Sequence, residues 1–214
     1  MAFVGKKFPN ISVNAMNDMG DTFKLNVLEE AQKNNKKVVL FWYPKDFTFV
    51  CPTELHAFQA AIGEFEKRNT LVIGASCDTP EVHFAWLSTD KDNGGIEGVT
   101  YPILADSNRN LSSVLGILDI QNEVYDEETE TVQVEGDNVT YRATYIIDEE
   151  GVVQHESINN MPLGRNVGEY LRLVDALTHV QEKGEVCPAN WEEGKEAMSA
   201  NRDGVASYLS AHAN

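Results

Sequence analysis

A chain of 214 residues with 42% hydrophobic side chains can bury a full core, most simply as one domain with an appendage. Its 34 acidic residues against 17 basic ones give a formal net charge of -17, which argues against nucleic acid or an anionic membrane as partner. Three cysteines are too few for a structural disulfide framework, and an odd count in a reducing compartment points to reactive thiols.

The opening MAFVGKKFPN lacks the apolar run and small-residue cleavage site of a secretory signal. No stretch approaches the roughly 20 apolar residues of a membrane span. A soluble, cytoplasmic protein is expected. Apolar, β-branched runs at 38–43, 71–76, 101–104, 141–147 and 152–158 read as strands. Helical patterns fall between them at 52–67, 80–88 and 110–115, followed by a longer one at 168–182. This is an α/β order, and the turn at 148–151 joins the last two strands as an antiparallel hairpin, so a mixed sheet covered by helices on both faces is expected. Residues 122–140 alternate apolar and acidic positions around Gly136-Asp137, which suggests an exposed acidic hairpin inserted before the 141–147 strand. After residue 182 the composition turns polar and rich in Gly and Ala, and the expected division is a domain at 2–179 and a C-terminal arm at 180–214.

Within FWYPKDFTFVCPTE, Cys51 stands where a strand turns into a helix, with Pro52 at the first helical position. The positive end of the helix dipole there favours a thiolate over a thiol. Thr48 lies one helical turn before Cys51, a position from which its hydroxyl can face the sulfur or an incoming oxygen. Pro44 can roof the site without an N–H of its own. A Thr near a helix start is most often only a cap; the spacing P-x-x-x-T-x-x-C is more specific than any of its members. Cys77 lies in an apolar strand-like run and reads as a buried, inert thiol. The histidines do not cluster with the cysteines at metal-ligand spacing, and no metal is expected; His83 is expected to pack or cap in its helix, and His56 has no assigned role.

At these residues the chain resembles the peroxiredoxins, specifically the typical two-cysteine subgroup that includes the bacterial alkyl hydroperoxide reductase C subunit. The motifs run in order: FTFVCPTE at 47–54, SCDTPEVHFAW at 76–86, YRATYIID at 141–148, MPLGR at 161–165 and GEVCPANW at 184–191. The resemblance implies a thioredoxin-like fold and a thiol-dependent peroxidase that reduces hydrogen peroxide and organic hydroperoxides. It makes Cys51 the peroxidatic cysteine, oxidised to a sulfenic acid. Arg142 hydrogen-bonds thiolate and peroxide, and Glu54 and Arg165 hold Arg142 in place. Cys187 becomes the resolving cysteine, contributed by the partner subunit to an intersubunit disulfide.

No bound cofactor is implied. Reducing equivalents come from a dithiol donor, either a flavoprotein reductase, toward which the RAT segment leans, or thioredoxin. Antiparallel homodimers assembled as a ring-shaped decamer are implied too, with Phe47, Phe49 and Trp86 as candidate contacts between dimers or as core residues. Two departures from oxidation-sensitive relatives stand out. Gly94-Gly95-Ile96-Glu97-Gly98 replaces a Gly-Gly-Leu-Gly loop, and Tyr208-Leu209 replaces Tyr-Phe, so the clasp over the active-site helix is partial and intermediate overoxidation is expected. A holdase chaperone is the competing reading from another class. A thioredoxin-type oxidoreductase is disfavoured, because Cys51 has no C-x-x-C partner.

Overall fold

The computed structural model describes residues 2–120 and 122–212, the side chains at 122, 123 and 134 excepted. The chain divides into two compact units, Met1–Arg165 and Asn166–Asn214.

The first unit is built on β3 (Lys37–Trp42), a strand buried at every position. Continuous burial explains why its sequence reads as an unbroken apolar run and does not alternate. Successive side chains point to opposite faces. On one face Val38, Leu40 and Trp42 join a core that includes Ala31 of α1 (Val27–Asn34) and Leu111 and Leu115 of α5 (Asn110–Leu115). On the other, Phe41 stacks on Phe58 of α2 (Cys51–Ala60) with centroids 4.0 Å apart, and Phe58 stacks on Phe65 of α3 (Ile62–Lys67) at 6.2 Å. Tyr43, just past the strand, lies 5.9 Å from Trp86 of α4 (Pro80–Leu87).

The sheet has seven strands in the order β2-β1-β5-β4-β3-β8-β9. β3 runs parallel to β4 (Thr70–Ser76), and β4 parallel to β5 (Ile103–Ala105). β8 (Arg142–Ile147) and β9 (Val153–Asn159) continue antiparallel on the far side of β3, so the expected mixed sheet is present. Their hairpin closes as expected at 148–151: Asp148 accepts from the N–H groups of Glu150 and Val152, and Gly151 takes the left-handed φ of +81°.

Several elements differ from the sequence reading. β1 (Ser12–Met16), β2 (Thr22–Asn26) and α1 are absent from it, although Asn26 caps α1 by accepting from Leu28 N and Glu29 N. The helix expected at 52–67 is two helices. The Ala61 N–H is shared between the Ala57 and Phe58 carbonyls, which tightens the last turn of α2 before α3 begins. β5 starts two residues later than expected, since Pro102 has no N–H for the ladder. The acidic insertion does form a separate hairpin, β6 (Asn122–Asp126) with β7 (Thr131–Glu135). Its turn is not at Gly136-Asp137 but at 127–130, where Asp126 Oδ1 accepts from Glu128 N and Thr129 N. An Asx turn replaces the glycine turn as the reversal point.

The second unit holds α6 (Val167–Lys183), capped by Asn166 and ended by Gly184 at φ +67°, and α7 (Arg202–His212). The sequence reading leaves α7 out; its exposed face and polar composition carry little apolar signal. Among the described residues no helix is long and apolar enough to cross a membrane.

Phe65 fills the core beside Phe58 away from the chemistry. Phe65→Ala is expected to lower unfolding free energy by about 3–5 kcal/mol, read as a shift of the urea midpoint at unchanged slope.

Candidate active site

β3 ends at Trp42, and the chain crosses residues 43–50 before α2. That crossing is tied to the sheet from below. Tyr43 Oη donates to Asp46 Oδ1 at 2.8 Å, Asp46 Oδ2 meets His83 Nδ1 at 2.7 Å, and His83 Nε2 meets the Leu104 carbonyl at 3.1 Å. Burial raises the Asp46 carboxyl above its usual range, and the His83 hydrogen bond pulls it back only in part. His83 thus belongs to a buried network and does not cap α4, whose N-cap is Thr79. Phe47 holds φ at +53°, an uncommon conformation for a residue with a side chain and a local cost of about 1–2 kcal/mol.

α2 begins at Cys51 itself, one residue earlier than the sequence implies, and Pro52 follows as second helical residue, where its missing N–H still costs no ladder bond. Cys51 is fully buried, with Arg142 Nη1 3.4 Å from its sulfur. Arg142 opens β8, and two acceptors fix its guanidinium: Nη1 donates to Glu54 Oε2 at 2.7 Å and Nε to the Met161 carbonyl at 2.6 Å. Glu54 is one turn along α2 from Cys51. It also accepts from Arg165 three times, from the backbone N (2.9 Å) and Nε (2.9 Å) to Oε1 and from Nη2 (2.7 Å) to Oε2. Arg165 is fixed in turn by the Ala143 carbonyl and Thr144 Oγ1, and its guanidinium lies 5.0 Å from the Phe41 ring centroid.

The electrostatics follow from counting charges. Two guanidiniums and one carboxylate, with side chains at most 4% exposed, leave one positive charge uncompensated. Among the described residues Glu54 is the only carboxylate bonded to either guanidinium. A negative charge on the Cys51 sulfur would balance the cluster, which is the condition for tolerating ions out of water. Burial alone would raise the Glu54 carboxyl, but the hydrogen bonds and charge of Arg165, with the charge of Arg142, outweigh it and hold the group below the ordinary range.

Arg142 also lines a cleft of about 280 Å³ with Pro44, Thr48, Phe49, Val50, Met161 and Pro162. Pro44 and Thr48 therefore sit on the cleft wall. The Thr48 hydroxyl donates to the Lys45 carbonyl at 3.0 Å, and Arg142 stands between the cleft and the buried Cys51 sulfur. His56, given no role by the sequence, bonds the Gly95 carbonyl at 3.0 Å and ties α2 to the 94–98 loop. Trp86 is buried and donates to the Gly94 carbonyl, which makes it a core residue of the protomer, whereas Phe47 and Phe49 are exposed. Cys77 is buried as expected, and burial pushes its thiol up to about 11. Cys187 lies in the second unit, half-buried, its sulfur donating to the Ala176 carbonyl at 3.7 Å.

Sequence reading missed Tyr43, Asp46 and the Met161 carbonyl. Asp46 carried a usable signal, an acidic residue inside the otherwise aromatic run around Cys51. The Met161 carbonyl is a backbone group and carries none.

The sequence pattern described as the AhpC/TSA family matches residues 4–156. The chain belongs to the AhpC/TSA family. Within it the protein is a peroxiredoxin, a thiol-dependent peroxidase on a thioredoxin-like fold that needs no prosthetic group. A second pattern, the C-terminal domain of 1-Cys peroxiredoxin, matches residues 176–211. The chain is 41% identical over 193 residues to alkyl hydroperoxide reductase C of Helicobacter pylori, covering 90% of this chain and 87% of that one. To peroxiredoxin-2 of Bos taurus it is 40% identical over 211 residues, covering 99% and 96%. The reduced 2-Cys peroxiredoxin of Plasmodium vivax superposes with a TM-score of 0.86 at 36% identity, over 98% of this chain and 100% of that one.

Because the folded-state value of Glu54 in this peroxiredoxin is depressed, its stabilising contribution is complete above the unfolded value of about 4.3. That contribution disappears as pH falls from there through the folded value. Urea unfolding between pH 7 and pH 3 should show the decline, and Glu54→Gln should both flatten it and cost about 3–5 kcal/mol at pH 7 by leaving two buried guanidiniums unpaired.

Proposed function

We propose that Cys51 is the peroxidatic nucleophile and Cys187 the resolving thiol of this peroxidase. The observation that carries the reading is Arg142 Nη1, which lies 3.4 Å from Cys51 Sγ while Glu54 fixes the same nitrogen at 2.7 Å. A donor held in place before reaction can follow charge from sulfur onto the breaking O–O bond without reorganising. The Cys51 thiolate attacks the terminal oxygen of a hydroperoxide. An S–O bond forms, the O–O bond breaks, and the leaving alkoxide or hydroxide takes a proton to give alcohol or water. Pro44 and Thr48 shape the wall from which the peroxide enters, and Arg165 and Glu54 position Arg142. The apolar lining from Phe49, Val50 and Pro162 supports organic hydroperoxides as substrates beside hydrogen peroxide.

The Cys187 thiol of a partner subunit then attacks the Cys51 sulfenic acid: the S–S bond forms, the S–O bond breaks, and water leaves. A dithiol protein, either a flavoprotein reductase or thioredoxin, returns both cysteines to thiols and is itself oxidised to a disulfide. The proposed assembly is a homodimer, five of which make a ring, in the cytoplasm, with residues 180–214 as the arm that delivers Cys187.

After a substoichiometric pulse of hydrogen peroxide, a non-reducing gel should show a covalent dimer for the wild type and none for Cys51→Ser or Cys187→Ser. Wild type running as a monomer while Cys51 is oxidised would remove Cys187 from its role between chains. Mass spectrometry across a peroxide titration should find Cys51 sulfinic acid at intermediate excess, and its absence at large excess would contradict the partial clasp.

A further inference from the structure

In the second unit the Cys187 segment is not loose. Gly184, at φ +67°, ends α6 and turns the chain back along it, which brings Glu185 to His179 with Nε2 and Oε2 3.0 Å apart. Beyond the cysteine, Trp191 is 3% exposed and its ring centroid is 5.0 Å from that of His179. Arg172 Nη1 donates to the Trp191 carbonyl at 3.2 Å. One imidazole therefore grips the segment at two points, before and after Cys187. Between those points the thiol donates to Ala176, and burial raises it above its ordinary value, Arg172 opposing and Glu185 assisting. The docked Cys187 is a protected thiol.

We infer that His179 is a latch residue whose contacts with Glu185 and Trp191 set the rate at which Cys187 is released to attack the Cys51 sulfenic acid. This rests on the assignment of Cys187 as the resolving thiol. Disulfide formation requires the two Cα atoms within about 7 Å, and it requires Cys187 to surrender its proton. A Cys187 thiol still donating to the Ala176 carbonyl of α6 keeps its proton and is turned onto its own unit, so undocking precedes the chemical step. In that step the Cys187 sulfur is oxidised and the Cys51 sulfur reduced as the S–S bond replaces S–O, and the thiol proton leaves with hydroxide as water. Until then the sulfenic acid is open to a second hydroperoxide, which transfers an oxygen to give sulfinic acid and departs as alcohol or water. The latch thus partitions Cys51 between recycling and overoxidation. Glu185 is about half exposed, so the contribution of the ion pair is modest.

The test follows the full-length protein by rapid quench after a peroxide pulse. Sulfenic acid is trapped with a cyclic diketone, disulfide is read on non-reducing gels, and sulfinic acid is measured by mass. His179→Ala and Glu185→Ala should form disulfide about two- to tenfold faster and accumulate less sulfinic acid, with sulfenic acid formation unchanged. Glu185→Gln, which keeps an acceptor for the ring, should return toward wild type, a rescue that general loosening of the fold would not give. His179→Phe keeps the ring against Trp191 and should fall between. Thermal melts confirm that each variant is folded. An unchanged or slower disulfide step in folded His179→Ala overturns the latch. Persistence of the disulfide in Cys187→Ser would instead remove the assignment of Cys187, and the latch with it.

Discussion

One buried carboxylate organises the chemistry of this protein. Glu54 accepts from two guanidiniums and a backbone N–H, and through them it joins α2, β8 and the 161–165 segment into one electrostatic unit. Neither arginine could be held out of water without it, because an unpaired buried charge costs several kcal/mol. The unit is left one negative charge short, and the group within reach of Arg142 is the Cys51 sulfur. Structural and chemical roles therefore coincide.

The scaffold beneath it is stiff. Phe41 carries Phe58 on one side and the Arg165 guanidinium nearby, so the aromatic stack that packs α2 onto β3 is also the floor of the charge cluster. On the other flank the Tyr43-Asp46-His83 network ties the crossing at 43–50 to β5 through the Leu104 carbonyl. The strained φ of Phe47 is tolerated between these two anchors. His56 and Tyr101 hold the second turn of α2, through Gly95 and the Leu55 carbonyl, while the first turn is held by the Arg142 and Arg165 bonds to Glu54 and by the bonds to Val50 behind it. The helix is thus pinned just beyond the turn that carries Cys51.

The two cysteines sit in opposite settings. Cys51 has a cation against it, whereas Cys187 donates to a carbonyl, is packed under the 185–191 segment, and is raised above its ordinary value by burial. Buried Cys77, with its thiol pushed up to about 11, shows what burial does to a cysteine with neither arrangement.

By itself the sequence determined the α/β order, the buried central strand and, through its ordered motifs, the family. Those properties are written in local pattern: apolar runs, a proline at a helix start and a fixed spacing of residue types. It did not show the break at Ala61, the late start of β5 or the true turn of the acidic hairpin. The first and the last depend on hydrogen bonds that compete with the regular pattern, a shared N–H and an aspartate accepting from the backbone, and the second on a proline with no N–H to give. Arg142 and Arg165 could be named from motifs, but their shared grip on Glu54 could not, since residues 88 and 111 positions away meet only when β8 pairs with β3. The Met161 carbonyl, the His56 tie and the His179 contacts are likewise tertiary facts. Backbone acceptors and ring orientations have no one-residue signature, and only folding decides what faces them.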